Sequence, residues 1–429
     1  MTIRSRQANP TFGQVLSYDA KFCQSVLRTS QFRIVLYWTL ITFVIIFPKS
    51  GVKVGSVPLT TGYAVICAAA LLALIDNLLH HRSSMMSFAA LVLSAPFGGI
   101  VVLSLAINGA TDLGSALAAV MAFVVLPSIF LGLFSCQLGT IPWATIRRSI
   151  VFSVRVVAVF GLSLFLTKLV TGALFEVPYL TVNVDDVGLI EKTKMIDRGG
   201  IYKLISTYNN GNLFGASMLL LFPLYLWLER SRFFVAAVIA SLILTLSRTV
   251  WLGLLIACLL TMLQRKVTAQ LLIGLAFGIA LFILVVWLIA GFISNGSGFL
   301  IDPTLGGRSS TLEETTDIGL LPSTPVEMLP EIVYAGLIKQ FGVVGLLAFI
   351  IFLFAAVLVA KIRSVELQPV QKKAILGIYT YAFICSGDGA IMLIPVIPIF
   401  LFVSLILLEA PRLSIDNMRV ALQRRANAS

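Results

Sequence analysis

Long apolar runs recur along most of this chain, from about residue 32 to residue 409, and short polar turns separate them. A helix needs about 20 mostly apolar residues to cross a hydrocarbon core of about 30 Å, and most of the runs have that length. Apolar residues make up 59% of the sequence and charged residues 12%, which is too little polar surface for a water-soluble protein of this size. We therefore predict an all-α, polytopic bundle of transmembrane helices that forms one integral-membrane domain over residues 1–429.

The apolar runs predict about twelve spans, with both termini on the same side of the membrane. They lie near residues 32–48, 57–79, 86–107, 112–134, 150–171, 209–228, 233–246, 249–263, 270–292, 332–360, 374–391 and 393–409. Residues 1–31 and 410–429 are then cytoplasmic tails, and residues 172–208 and 293–331 are two long external loops. Loops of this length in compact proteins are usually functional. The basic first thirty residues lack an apolar segment with a cleavage site, so the first span is predicted to be an uncleaved anchor.

The stretch from residue 233 to residue 263 decides the topology, because it can form one long helix or two short helices separated at Ser247 and Arg248. With two helices, lysine and arginine residues gather on the side of both termini. With one helix, ten basic residues between Arg265 and Arg425 move outside, and only Arg308 and Lys339 move in. The tendency of cytoplasmic loops to carry the positive charge therefore favours two spans.

Two spans of this kind place Arg248 below the outer surface. Each is only about 14 or 15 residues, or roughly 21 to 22 Å long at 1.5 Å per residue, which is shorter than the bilayer core. A charge inside the membrane costs several kcal/mol unless it is hydrated or paired, so a recessed arginine indicates an anionic partner. The simpler alternative is a turn arginine that extends to the lipid headgroups.

Charge and cysteine placement exclude several other classes of site. The net charge is +12, but the basic residues stand singly or in pairs at the ends of apolar runs, which is typical of topology signals and contact with anionic lipid and not of nucleic-acid binding. The five cysteines form neither a disulfide framework nor a metal-binding pattern, and His80 and His81 read as interfacial polar residues. We expect no metal and no cofactor.

The charged residues on the external side suit phosphate chemistry. A guanidinium group binds phosphate through two parallel hydrogen bonds, and Arg198, Arg248 and Arg308 together would match a diphosphate. Arg198 and Arg308 can equally be solvated loop residues paired with nearby acids. Glu331 follows Pro330 and opens a span, so it is either a helix cap, which its position alone favours, or a general base for a hydroxyl.

Amide and carboxyl groups near the same face add candidates. Asn209, Asn210 and Asn212 stand where the sixth span begins, and they can cap that helix or bind sugar hydroxyls. Asp388 lies deep in an apolar region between Gly387 and Gly389. A carboxyl group inside a membrane is a functional candidate by default, and in its neutral form it can also be a structural hydrogen-bond donor.

Three motifs resemble those of a known family. They are LSRTVWLG at residues 246–253, NNGNLFGAS at residues 209–217, and a late external Arg308 in GGRSS followed by EIVYAGLIKQFGVVGLL from Glu331. In this order they resemble the bacterial O-antigen ligase and O-antigen polymerase superfamily, whose members are membrane glycosyltransferases that act on undecaprenyl-diphosphate-linked glycans. Glu331 and Ile332 replace the commoner histidine and asparagine of that pattern, which favours polymerase over ligase.

The resemblance implies an activity and roles for the residues. The protein would transfer a glycan from undecaprenyl diphosphate to the sugar hydroxyl of a lipid-linked repeat unit at the periplasmic face of the inner membrane, without a metal and with inversion. Arg248 and Arg308, with Arg198, would hold the diphosphate, and Glu331 would orient or deprotonate the acceptor. The substrate-binding set is Arg198, Asn209, Asn212, Tyr334, Lys339 and Asp388.

Two alternatives stay open. A ligase that moves a finished chain to the lipid A core would use the same site with another acceptor. A flippase or transporter for lipid-linked oligosaccharides would place charged groups at mid-membrane between repeated halves, and Asp388 is the residue that fits this reading. As partners of a polymerase we expect membrane lipids, a chain-length regulator and a flippase, and no nucleic acid.

Overall fold

The structure, a computed structural model, describes residues 31–54, 57–80, 84–138, 141–178, 188, 202–264, 284, 319–330, 332–363, 366–393 and 395–410. This part of the chain is mostly helical. Its helices are α1 Gln31–Ile46, α2 Thr61–His80, α3 Met85–Asn108, α4 Leu113–Leu138, α5 Trp143–Thr171, α6 Gly211–Leu228, α7 Arg232–Ile243, α8 Arg248–Leu263, α9 Val333–Arg363, α10 Pro369–Ile384 and α11 Val396–Ala410. A short hairpin of β1 Gly51–Val54 and β2 Val57–Thr60 joins α1 to α2, with antiparallel register from Gly51 opposite Thr60 to Val54 opposite Val57.

Six helices within the described ranges are long and apolar enough to cross a membrane, namely α2, α3, α4, α5, α6 and α9. The helices α1, α7, α8 and α11 are apolar but shorter. The predicted membrane character is therefore supported, while the number of twelve spans and the two long external loops stay predictions. The predicted span at residues 270–292 and most of the loops and tails at 1–31, 172–208, 293–331 and 410–429 lie outside the described residues.

Several predicted boundaries change. The run predicted to start a span at residue 57 begins as strand β2, and the helix starts at Thr61. The span predicted at residues 374–391 is helical from Pro369 only to Ile384, and an irregular segment follows. The predicted break between residues 246 and 249 is present, because α7 ends at Ile243 and α8 begins at Arg248.

The helix α9 is broken at Gly342, whose φ of 69° and ψ of −174° are outside the helical region. Glycine reaches this conformation without the steric cost that a side chain would add. The N–H groups of Val343 and Val344 donate instead to the carbonyl oxygens of Gly319 and Leu320, at 3.1 and 3.2 Å. The predicted continuous span at residues 332–360 is therefore a short helix, Val333 to Phe341, followed by a longer one.

Close packing around α6 forms the centre of the fold. In α6, 83% of the residues are buried, the largest share among the six long helices. A Cβ at Gly253 of α8 would lie 2.8 Å from Leu219 of α6, and a Cβ at Gly377 of α10 would overlap the carbonyl oxygen of Leu220. Small residues at such contacts let helix backbones approach closely, as they do in membrane proteins. The three helices α6, α8 and α10 thus form a tight group.

The part of the core between α3, α4 and α9 is aromatic. The ring of Phe97 is 4.8 Å from that of Phe123, 5.2 Å from Phe349 and 5.7 Å from Phe341, all in edge-on geometry. All four side chains are buried. Edge-to-face pairs of this kind add about 0.5 to 1.5 kcal/mol each beyond the area they bury, so this cluster fixes α9 on both sides of its break.

Candidate functional site

Three irregular segments meet at one end of the group formed by α6, α8 and α10, and we refer to them as the three loops. They are residues 202–210, 244–247 and 385–393. The Leu204 N–H donates to the Leu244 carbonyl oxygen at 2.9 Å, which joins the first loop to the second. A Cβ at Gly387 would lie 3.1 Å from the methyl group of Thr249, the residue after Arg248, which brings the third loop to the start of α8.

The backbone of the three loops is unusual. Among the described residues, the non-glycine residues with positive φ are Ser206 (50°), Asn209 (57°), Leu246 (49°) and Ala390 (45°), and all of them lie in the three loops. A side chain in this region costs about 1 to 2 kcal/mol relative to the right-handed conformation. Such residues cluster at active sites and ligand-binding sites, where surrounding structure holds them in place. The concentration of strain marks this end of the group as the candidate site.

The first and second loops lie well below the end of the neighbouring helix α5. The hydroxyl of Ser206 donates to the Val157 carbonyl oxygen at 2.7 Å, and a Cβ at Gly161 would lie 3.0 Å from Leu204. The helix then continues from Gly161 to Thr171, or about 15 Å at 1.5 Å per residue. The first loop, and the second loop that it joins, are therefore recessed relative to the end of α5, while the predicted recess of Arg248 below the membrane surface stays a prediction.

Arg248 is half-buried and forms the first residue of α8. The turn before it is fixed by Trp251, whose backbone N–H donates to the Ser247 carbonyl oxygen at 2.9 Å and whose indole N–H donates to the Ile243 carbonyl oxygen at 2.8 Å. The side chain of Ser247 makes no capping hydrogen bond to α8. The positive end of the α8 dipole therefore lies beside the three loops, at the residue that carries the Arg248 guanidinium, an arrangement that favours an anion.

Asp388 lies in the third loop, which adjoins the start of α8. It follows the end of α10, it is only 5% exposed, and its backbone N–H donates to the Ile384 carbonyl oxygen at 2.8 Å. The hydroxyl of Tyr381 holds the loop through the Gly389 carbonyl oxygen at 2.5 Å. Because Gly387, the preceding residue, contacts Thr249, the carboxyl group lies on the loop that adjoins the start of α8 and not in a separate site at mid-helix.

The start of α9 completes the site. The Val333 N–H donates to the Cys385 carbonyl oxygen at 3.1 Å, and the Tyr334 hydroxyl donates to the Ala382 carbonyl oxygen at 2.5 Å. Tyr334 is thus held against the last turn of α10, next to the third loop, with its hydroxyl used in a structural hydrogen bond. Val333 stands two residues beyond Glu331 in the sequence.

Of the three predicted asparagines, Asn210 caps α6, and Asn209 and Asn212 stay candidates for substrate binding. The side chain of Asn210 accepts a hydrogen bond from the Asn212 N–H at 2.8 Å and so caps α6. Asn209 is 7% exposed in its left-handed conformation, and Asn212 is half-buried in the first turn of the helix. The Tyr208 hydroxyl anchors the loop to α1 through the Ile45 carbonyl oxygen at 2.8 Å.

Lys339 stands apart from the other candidates. Its ammonium nitrogen lies 3.7 Å from a carboxylate oxygen of Glu327, and both side chains are partly exposed, at 32% and 40%. Lys339 is six residues beyond Val333, or about 9 Å along the helix. Arg198, Arg308 and Glu331 lie outside the described residues. Of the predicted residues, those that the structure places in the three loops or at the helix ends beside them are Arg248, Asn209, Asn212, Tyr334 and Asp388.

Two acidic residues that form ion pairs with arginines, Glu229 and Asp76, were not predicted from the sequence. Arg155 donates to both oxygens of Glu229 at 2.7 and 2.6 Å, and Arg33 donates to both oxygens of Asp76 at 3.1 and 2.7 Å. The Arg155 guanidinium is the main reason that the pKa of Glu229 is lowered to about 2. An acid inside a basic turn, as in the sequence Leu-Glu-Arg, is the signal that could have indicated the first pair.

No protein-family model, curated protein or solved structure matches this chain. Within the described ranges, there is also no group of three or more histidine, cysteine, aspartate or glutamate side chains that could hold a metal ion.

Proposed function

We propose that this protein is a membrane glycosyltransferase of the polysaccharide-polymerase type, which uses a glycan linked to undecaprenyl diphosphate as its donor. The observation that carries the proposal is the convergence of three strained loops on Arg248 at the start of α8. Two of the motifs that resemble the O-antigen polymerase superfamily begin in these loops and continue into the helices that follow, LSRTVWLG at residues 246–253 and NNGNLFGAS at residues 209–217. Two residues with positive φ, Leu246 and Asn209, are the first residues of these motifs.

The charge at the site suits the leaving group of this reaction. In the proposed step, the acceptor hydroxyl oxygen attacks the anomeric carbon, and the bond from that carbon to the phosphate oxygen breaks with its electron pair on the diphosphate. A fixed cation that lies where this charge develops stabilises the transition state. Arg248, supported by the α8 dipole, has that role here, and Arg308 and Arg198 would complete the diphosphate site.

Proton transfer and sugar binding are assigned to the remaining groups. Glu331 would take the hydroxyl proton as general base, which requires hydrogen-bond reach of the acceptor. Asn209, Asn212 and Asp388 offer amide and carboxyl groups suited to sugar hydroxyls. The product would be a glycan longer by one transferred chain, together with undecaprenyl diphosphate.

The position of Asp388 favours a transferase over a transporter. A transporter would use a carboxyl group at mid-membrane between repeated halves. Here the Asp388 loop contacts Thr249 and the start of α9, so the carboxyl group shares the site of Arg248. A ligase would share this site and differ in its acceptor. The proposal includes a location in the bacterial inner membrane, both termini in the cytoplasm, the site facing the periplasm, and a chain-length regulator and a flippase as partners.

The test uses purified full-length protein and a lipid-diphosphate oligosaccharide, with longer glycans and released lipid diphosphate as the two readouts. Arg248→Lys should reduce the rate about 100-fold or more, because lysine keeps the charge and cannot form the bidentate contact. Arg363→Lys, at the exposed end of α9, is the matched control and should leave the rate unchanged. An Arg248→Lys variant with full activity would refute the assignment, and absence of both products from the wild-type protein would refute the function.

Glu331→Gln separates a base from a cap. Glutamine keeps the size of the side chain and much of its capping ability but cannot accept the proton. A variant with unchanged stability and a large loss of transfer rate would support the base. Full polymer production by this variant would leave only the cap.

A further inference from the structure

A cavity of about 310 Å³ lies between the start of α5 and the turn that follows α6. The helix α6 separates it from the three loops by 18 residues, or about 27 Å, so the cavity is at the opposite end of the group. Its polar lining consists of Arg147, Arg148, Arg155, Glu229 and Arg230. Four guanidinium groups therefore face one carboxylate.

The carboxylate of Glu229 is fully engaged in holding the cavity wall together. Its oxygens accept hydrogen bonds from Arg155 at 2.7 and 2.6 Å, from the Tyr225 hydroxyl at 3.0 Å, and from the N–H groups of Arg230 and Ser231 at 2.8 Å each. The Glu229 side chain is 1% exposed. The carboxylate thus neutralises Arg155 and orders the turn that carries Arg230, and it leaves the other arginines as excess positive charge.

The remaining arginines present this charge at the cavity mouth. Arg147 donates to the Leu228 carbonyl oxygen at 3.1 Å, which fixes its side chain against the end of α6. Arg148 and Arg230 are exposed, and in the part of the chain that the structure describes no acidic side chain forms an ion pair with either of them. A cavity with this lining attracts an anion that can accept several N–H groups at once.

Aromatic side chains indicate the level of the cavity in the bilayer. The rings of Trp143 and Trp227 lie 6.4 Å apart beside it, and Trp227 is 43% exposed. Phe233, in the next helix, is 72% exposed. Tryptophan is enriched at the level of lipid headgroups, and exposed apolar rings beside it face acyl chains. We therefore expect the arginines to lie at the level of the phosphate groups of phospholipids.

We propose that this cavity binds a phosphate group, supplied by an anionic phospholipid headgroup or by a soluble phosphate. The planar guanidinium fork matches phosphate oxygens bidentately, and basic pockets between helices at a membrane surface bind anionic headgroups. The proposal does not depend on the transferase activity, because the cavity and the three loops share no residue.

The experiment measures binding to purified full-length protein in nanodiscs of phosphatidylcholine, titrated with phosphatidylglycerol in one arm and with inorganic phosphate and diphosphate in the other. The double variant Arg148→Gln/Arg230→Gln removes two charges and leaves the Arg155–Glu229 pair intact. It should bind the favoured ligand roughly 30-fold more weakly, which corresponds to about 2 kcal/mol for two charges near a membrane surface. Lys361→Gln/Arg363→Gln, at the exposed end of α9, is the control of equal charge and should bind as the wild type does.

The two arms distinguish the sources. Phosphatidylglycerol that binds above the phosphatidylcholine background and is not displaced by millimolar phosphate identifies the lipid headgroup. Binding of phosphate or diphosphate in pure phosphatidylcholine identifies a soluble ligand of this cavity only where the Arg148→Gln/Arg230→Gln variant weakens it, because the proposed site at Arg248 would also bind diphosphate. Equal binding by the wild type and the Arg148→Gln/Arg230→Gln variant in both arms overturns the proposal. If that variant does not fold, the same binding measurement is made with the double variant Arg148→Lys/Arg230→Lys and with the single variant Arg230→Gln. The lysine pair keeps the charge but loses the bidentate fork, so it should bind more weakly than the wild type, and the single variant should lose part of the binding; wild-type binding by both overturns the proposal.

Discussion

The contact between Gly215 of α6 and Val250 of α8 supports a quantitative prediction about the candidate site. A Cβ added at Gly215 would overlap one methyl group of Val250, lie 2.8 Å from the other and lie 3.0 Å from the Val250 Cβ. Carbon atoms in contact prefer about 3.5 to 4.0 Å. Rotation of Val250 moves its methyl groups but not its Cβ, so Gly215→Ala must separate the two helices by about half an ångström. Overpacking of this kind costs about 1 to 3 kcal/mol.

The second site makes the prediction a double-mutant cycle. Val250 is 2% exposed, and Val250→Ala alone should cost about 2 kcal/mol, because it removes two buried methyl groups. In that background both methyl clashes are gone and only the 3.0 Å contact with the remaining Cβ is left, which the preference of alanine over glycine in a helix, up to about 1 kcal/mol, largely offsets. Gly215→Ala should therefore destabilise the Val250→Ala protein much less than it destabilises the wild type. The coupling energy expected is about 2 kcal/mol.

The measurement is unfolding of the purified variants in detergent, followed by circular dichroism and tryptophan fluorescence. Gly99→Ala, inside α3, is the control, because no heavy atom lies within 4 Å of a Cβ at that position, and it should be neutral or stabilising by up to about 1 kcal/mol. Since Val250 is two residues from Arg248, the transfer rate should fall in Gly215→Ala and recover in the double variant. Equal costs of Gly215→Ala in both backgrounds would show that the two helices do not touch as described.

Three further predictions test other contacts. Glu229→Gln should lower the free energy of unfolding by about 2 to 3 kcal/mol, because it leaves Arg155 without its carboxylate. In the wild type the pKa of Glu229 is lowered from 4.5 to about 2. The stability that the pair contributes should therefore be complete above about pH 4.5 and should disappear as the pH falls towards 2, which acid-unfolding experiments measure. Gly342→Ala should cost about 2 kcal/mol or more in the same unfolding assay, because φ is 69° and a Cβ would lie 2.6 Å from the Leu320 carbonyl oxygen. Asn210→Ala should cost about 1 kcal/mol through loss of the α6 cap, and an unchanged midpoint would show that water replaces it.

The sequence predicted the helices better than the segments between them. Apolar runs place most helix ends within a few residues, and the distribution of basic residues correctly predicted the break before Arg248. The break at Gly342 was missed, because a glycine in an apolar run carries no sign of its φ. The strand at Val57–Thr60 was missed because its residues also suit a helix that begins four residues early.

The candidate site could be predicted only in part. Arg248, Asn209 and Asn212 were identified because polar residues at the ends of apolar runs are conspicuous. The contact that joins the Asp388 loop to Thr249 depends on how α8 and α10 pack, and no local pattern carries that information. Glu229 was missed because the topology argument weighs lysine and arginine and ignores acids.

The left-handed residues of the three loops have a consequence for protein engineering. Glycine would adopt the conformation of Ala390 at lower cost and without the loss of a large side chain, so Ala390→Gly is expected to add up to about 1 kcal/mol of stability. A search for thermostable variants would therefore select this position early. Natural proteins often trade such stability for activity, so the variants that purify best are expected to be the poorest catalysts. Screens for stabilised forms of this protein should leave the three loops unchanged.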